Sequence, residues 1–191
     1  MARRLAPGRP RKLESSEFTV RRGILKKVVA IYPGTFDPVT YGHLDLIQRS
    51  LRIFDELIVG VLVNREKTPP LFTVEERLEM LRETTSAHEN VRLEQFDGLL
   101  VDFAERMNAD AVLRGIRAIS DYEYEMQMVW MNRKLNPKFE TIFMMPSAAY
   151  SYLSSRLVRQ IASYGGSVKN LVPPAIEERL LAKFAVASKK R

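Results

Sequence analysis

The sequence predicts an α/β fold: a Rossmann-like, doubly wound five-stranded parallel sheet with helices on both faces. Three observations predict it. Five short apolar stretches alternate with stretches whose apolar residues recur at helical spacing. Two of the five, KKVVAIY and LIVGVLV, are rich in β-branched residues and read as strands buried on both sides. The length of 191 residues suits one well-buried domain and is short for two.

Taken in order, the first strand is Lys26–Tyr32, ended by Pro33-Gly34. From Gly42 the period changes: Leu44, Ile47, Leu51 and Phe54 mark a helix. Leu57–Val63 is the second strand. Thr73 and Glu76 form a capping box that opens the next helix, with Leu78 and Leu81 on its apolar face. Val91–Phe96 is a strand, Leu99–Met107 a helix and Ala109–Gly115 a short strand. A long helix runs from Ser120 to Leu135 and stops near Asn136-Pro137. Glu140–Pro146 is the fifth strand. Ser154–Tyr164 is a helix stopped by Gly165-Gly166, and Pro173-Pro174 starts a last helix to about Phe184.

Composition narrows the function. The chain has no cysteine, which excludes disulfides and thiolate metal sites and fits a cytoplasmic protein. No apolar run approaches the roughly 18 residues of a membrane span, and the basic N-terminus lacks the apolar core of a secretory signal. The net charge of +7 suggests a nucleic-acid binder, but its distribution argues otherwise. Nine Lys or Arg and two acids lie in residues 1–27, and the rest of the chain balances. The expected organisation is a basic, disordered extension over 1–26, a single folded domain over 27–186 and a basic tail over 187–191.

Ligands of open α/β sheets sit outside the carboxyl ends of the strands, at the switch in strand order. The unusual polar residues fall there. Gly34–His43, GTFDPVTYGH, follows the first strand, Asn64–Thr68 the second, Arg114–Arg117 the fourth and Ser147–Ser155 the fifth. Gly34 allows close backbone approach, and Thr35 offers a hydroxyl and an N–H. His43 lies on a first helical turn, where N–H groups and the helix dipole favour anions. Arg114 and Arg117 flank Gly115 at a strand end, an arrangement suited to phosphate. Asp121 and Glu125 share a helix face, either to serve a ligand or to pair with those arginines. Ser154 or Ser155 caps the helix that follows, and the cap can double as a phosphate site. Lys67, alone, is a solvated lysine; Leu100 is either a core leucine or a ligand contact.

Thr40-Tyr41-Gly42-His43 resembles the T/HxGH signature of the nucleotidyltransferase superfamily. With the loop at Lys67, RGIRAISDYEYEMQM (Arg114–Met128) and YSYLSSRLVRQ (Tyr150–Gln160), the chain resembles the phosphopantetheine adenylyltransferase family from about Val28 to Phe184. That resemblance implies transfer of an adenylyl group from ATP to 4′-phosphopantetheine, giving dephospho-coenzyme A and pyrophosphate, the penultimate step of coenzyme A synthesis. It implies His43 as transition-state stabiliser. It implies ATP contacts at Thr35, Phe36, His43, Gly115, Ile116, Arg117, Glu125 and the run Tyr150, Ser151, Tyr152, Leu153, Ser154, Ser155 and Arg156. It implies substrate contacts at Thr35, Lys67, Leu100 and Arg114. Arg156 departs from the family's usual Ser or Thr and either adds a phosphate contact or points to solvent. The resemblance further implies Mg²⁺ bridging phosphates with few protein ligands, coenzyme A as feedback inhibitor and a homohexamer, with neither nucleic acid nor membrane as partner.

Overall fold

The computed structural model describes residues 26–63 and 70–188. The expected extension before Lys26, the loop carrying Lys67 and the tail beyond Ser188 lie outside the described residues. The elements are β1 (Val29–Gly34), α1 (Tyr41–Ser50), β2 (Glu56–Leu62), α2 (Val74–Thr85), β3 (Val91–Phe96), α3 (Leu100–Arg106), β4 (Ala111–Gly115), α4 (Ile119–Leu135), β5 (Glu140–Met144), α5 (Ser155–Ser163) and α6 (Pro174–Ser188). The five strands form one sheet in the order β3-β2-β1-β4-β5, and every pairing is parallel. Two apolar clusters cover its faces. One gathers Ala30, Leu57, Val59 and Leu113 with Leu46, Met80, Val158 and Ile176 from α1, α2, α5 and α6. The other gathers Ile31, Ile58 and Val112 with Val101, Phe103 and Ala104 of α3. A sheet buried on both sides is the doubly wound fold that the sequence predicts.

The strand order reverses between β1 and β4, which opens the crevice used by such folds. Here β1 starts and ends later than expected. Lys26, Lys27 and Val28 are exposed and pair with Asp110, Glu56 and Asp55 at the sheet's amino edge. Pro33 and Gly34 instead extend the ladder with β2, opposite Gly60 and Val61. The pairing with β4 covers only Ala30 and Ile31. Pro33 therefore sits where that ladder has ended, and its missing N–H leaves no donor unpaired. Arg114 Nη1 donates to the free Pro33 carbonyl at 3.2 Å.

The structure adds a single 3₁₀ turn at Ala148–Tyr150. Asp45 fixes its entry, accepting from Ser147 N–H at 2.9 Å and from the Ser147 hydroxyl at 2.5 Å.

Candidate active site

The turn after β1 builds the first wall. Thr40 is the N-cap of α1, and the capping is reciprocal: its hydroxyl accepts the His43 N–H, and Thr40 N–H donates to His43 Nδ1 at 3.0 Å. The motif is a capping box with histidine in the place usually held by Glu or Gln. It also decides the tautomer. With Nδ1 accepting, the ring proton sits on Nε2. The imidazole packs edge-on to Phe36, with centroids 5.0 Å apart, and lies 6.4 Å from the Tyr32 ring. Burial pushes the His43 pKa down to about 4, and the Arg117 charge pushes the same way. His43 is thus neutral at pH 7, a donor through Nε2–H and no store of positive charge.

The loop after β4 builds the opposite wall. Arg114 meets Glu125 in a two-point ion pair, Nε to Oε2 at 2.6 Å and Nη2 to Oε1 at 2.5 Å. Burial pulls the Arg114 pKa down, and the Glu125 hydrogen bonds and charge more than reverse it. Arg117 pairs with Asp121, Nε to Oδ2 at 2.9 Å, and donates to the Leu153 carbonyl at 3.2 Å. At Gly115 a Cβ would stand 2.6 Å from Leu46 Cδ1, so any larger residue there would displace that side chain. The third wall is the start of α5. Ser154 caps it, accepting from Leu157 N–H at 3.1 Å, and the Ser155 hydroxyl donates to the Pro38 carbonyl at 2.7 Å.

These walls enclose a polar cavity of about 300 Å³. Beside it runs an apolar groove of about 310 Å³, whose lining includes Leu62, Phe96, Leu99, Leu100, Tyr124 and Met128. The two spaces share Pro33, Gly34, Thr35, Arg114 and Glu125. A chamber that carries the polar groups of all three walls therefore opens, past a threonine and an arginine, onto a slot suited to an extended, partly apolar molecule.

The matching family model is that of cytidylyltransferase-like proteins, over residues 31–161. The chain is 54% identical over 156 residues to the phosphopantetheine adenylyltransferase of Caldanaerobacter subterraneus subsp. tengcongensis, covering 82% of this chain and 97% of that one. It is 55% identical over 154 residues to the enzyme of the same name from Thermodesulfovibrio yellowstonii, covering 81% and 96%. The chain belongs to the phosphopantetheine adenylyltransferase family. Its fold is shared more widely. A putative nicotinate-nucleotide adenylyltransferase from Vibrio parahaemolyticus superposes with a TM-score of 0.60 at 18% identity, over 82% of this chain and 93% of that one. The Plasmodium falciparum nicotinic acid mononucleotide adenylyltransferase superposes at 0.58 and 17%, over 83% and 96%.

Most residues that the family resemblance names converge. Thr35, Phe36, His43, Arg114, Gly115, Arg117, Glu125, Tyr150, Leu153, Ser154 and Ser155 line the polar cavity. Leu100 lines the groove and also packs, partly buried, against the apolar cluster on that face of the sheet. Ile116, Ser151, Tyr152 and Arg156 do not line the cavity. Ile116 N–H extends the sheet to Met144 O, the Ser151 hydroxyl donates to Ala148 O, and Tyr152 and Arg156 are exposed. Gly34 has a further role in packing the turn. The direction in which a Cβ would point is filled by the Phe36 ring, 3.0 Å away, while Gly34 lines both spaces. Phe36 reaches that position with a positive φ of 49°.

Sequence reasoning missed the groups that hold the turn. Asp37 is buried and accepts from Leu71 N–H at 3.0 Å and Phe72 N–H at 2.9 Å, and its ion pair with Arg159 spans 3.1 Å. The Asp37–Pro38 peptide is cis. Tyr32, from the strand itself, faces the cavity beside both arginines, and burial raises its phenol pKa above the ordinary value. The Thr40-x-x-His43 spacing was the available signal for the tautomer; nothing local marks Asp37 or Tyr32.

Proposed function

We infer that this chain is a nucleotidyltransferase that adenylates 4′-phosphopantetheine with ATP, giving dephospho-coenzyme A and pyrophosphate. The observation that carries the reading is the junction at Thr35, Arg114 and Glu125, where a polar chamber containing His43 meets an apolar slot. Identity of 51–55% to relatives of that name supports it.

The chemistry follows from charge. A phosphate monoester has its second pKa near ~6, so the acceptor is already ionised at neutral pH and needs no base. One of its oxygens attacks the α-phosphorus of ATP, a P–O bond forms, the bond to the β-phosphate breaks and its electron pair leaves on pyrophosphate. The protein's task is to bring two anions together and stabilise developing charge. His43 donates from Nε2 to the α-phosphate in the transition state. Thr35 orients the attacking phosphate, with Arg114 and Lys67 neutralising it. Arg117 and the α5 start hold the triphosphate. Leu99, Leu100 and Met128 pack along the pantetheine arm, and Glu125 holds Arg114 in register.

Mg²⁺ fits this arrangement as a guest of the phosphates. Among the described residues no group of three His, Asp or Glu side chains is placed to hold a metal. Glu125 and Asp121 are already paired with arginines. The ion would shield the ATP oxygens while the chain's own donors hold the phosphates. We further propose assembly of several copies, a hexamer by family resemblance, because α4 exposes Tyr122, Trp130, Met131 and Leu135. Coenzyme A, which contains the same pantetheine arm, would compete for the groove. No helix among the described residues is long and apolar enough to cross a membrane.

Pyrophosphate release from ATP, compared between 4′-phosphopantetheine and nicotinate mononucleotide as acceptors, tests the reading. Release with the first alone is expected. Release only with the second would replace the acceptor, and release with neither would remove the activity.

A further inference from the structure

Arg77 is the largest fully buried side chain of the described residues, 1% exposed, and it lies on α2, outside both ligand spaces. Its hydrogen-bond partners are carbonyl oxygens. Nη1 donates to Thr35 O at 2.8 Å and to Leu62 O at 3.1 Å, and Nε donates to Thr73 O at 3.2 Å. Burial pulls its pKa down, and the nearby Asp37 charge opposes this. A buried cation is costly to keep, and a neutral core contact would serve stability as well. What the guanidinium supplies is geometry. Its planar fork joins the carboxyl end of β1, the carboxyl end of β2 and the cap of α2 at one point.

We propose that Arg77 is a positioning residue for adenylyl transfer, acting through Thr35. The inference rests on the activity proposed above and deepens it. Thr35 stands at the junction of chamber and groove, where the attacking phosphate must approach the α-phosphorus within a few tenths of an ångström of the productive line. The Thr35 carbonyl is held by Arg77, which fixes the peptide plane between Thr35 and Phe36. On one side of that plane lies Thr35, which lines both ligand spaces. On the other, Phe36 takes its positive φ and packs on His43. One buried side chain therefore sets the two groups that must meet the reacting phosphates. Lysine cannot replace it, because a single ammonium cannot span three carbonyls in a fixed plane.

The test is a double-mutant cycle of R77K and T35A, read as kcat and KM for pyrophosphate release. R77K is expected to lower kcat roughly thirtyfold, as a misplaced reactant does, with KM for both substrates changed less than about threefold. In the T35A background the same change is expected to cost much less, because the group Arg77 positions is already gone. Wild-type kcat in R77K, or the same factor lost in both backgrounds, overturns the proposal. Wild-type turnover with 4′-phosphopantetheine is the control for the underlying activity, so a failure there is distinct from a failure at Arg77. If R77K does not fold, the native chain still decides. The resonance of the Arg77 Nε–H, which lies outside the lining of both ligand spaces, should shift when 4′-phosphopantetheine binds, and a fixed resonance overturns the role.

Discussion

The turn after β1 and the loop after β4 face each other across one cavity but are held by different physics. The β1 turn is anchored largely through its backbone, with one ion pair between Asp37 and Arg159. Arg77 takes Thr35 O, Ser155 takes Pro38 O, Asp37 accepts the Leu71 and Phe72 N–H groups, and the Thr40 hydroxyl accepts the His43 N–H. The β4 loop is anchored through side-chain ion pairs, Arg114 with Glu125 and Arg117 with Asp121, both partly open to solvent. A carbonyl contact holds geometry and cannot be traded for a ligand. An arginine–carboxylate pair can loosen and offer its donors to phosphate at modest cost. The contrast assigns precision to the first region and charge to the second.

Substitutions can break this contrast, and His43 should respond most. His43→Ala is expected to lower kcat for pyrophosphate release by about 10²–10³, the usual cost of one preorganised donor, while ATP binding measured by calorimetry changes little. A variant that turns over normally removes His43 from the chemistry. Arg114→Met should act on KM instead, raising it for 4′-phosphopantetheine roughly tenfold to hundredfold, the value of hydrogen bonds to a charged group. If kcat alone fell, Arg114 would belong with the precise region.

The third effect is on stability. His43 is folded with a pKa near 4 against an ordinary 6.5. An unfolded chain takes up a proton below 6.5 that the folded chain refuses until about 4. Stability is therefore complete above 6.5 and falls as the pH drops through that window. Urea midpoints at pH 7 and pH 5 should show this slope, reduced in His43→Gln, and an unreduced slope would refute the buried neutral imidazole. The smallest effect is expected at Asp121→Asn. That pair is the more exposed of the two, so KM for ATP should move less than about threefold and the melting temperature hardly at all. A larger loss would mean that Arg117 is as rigidly placed as Thr35.

Much of the fold was legible because strand and helix periods are local. Val91–Phe96 agrees at both ends with its expected bounds, and the other strands shift by a few residues. The early end expected for β1 came from Pro33. Proline reads as a strand breaker, yet here it lies where the β4 ladder has already ended. The site was legible where a motif kept its parts close in the chain, as in Thr40–His43. It was not legible at Arg77, which reads as an ordinary helical arginine and reaches Thr35, forty-two positions away, only through the fold.

The sequence alone determined the alternation of elements, the confinement of the net charge to the N-terminal segment and the chemistry available at each strand end. Those follow from side-chain type and short spacing. Tertiary structure decided which donors face a ligand and which are spent. It paired Glu125 with Arg114, turned Arg156 to solvent, packed Phe36 against Gly34 and made His43 neutral. Burial and three-dimensional neighbours set each of those outcomes, and neither is a property of any segment read by itself.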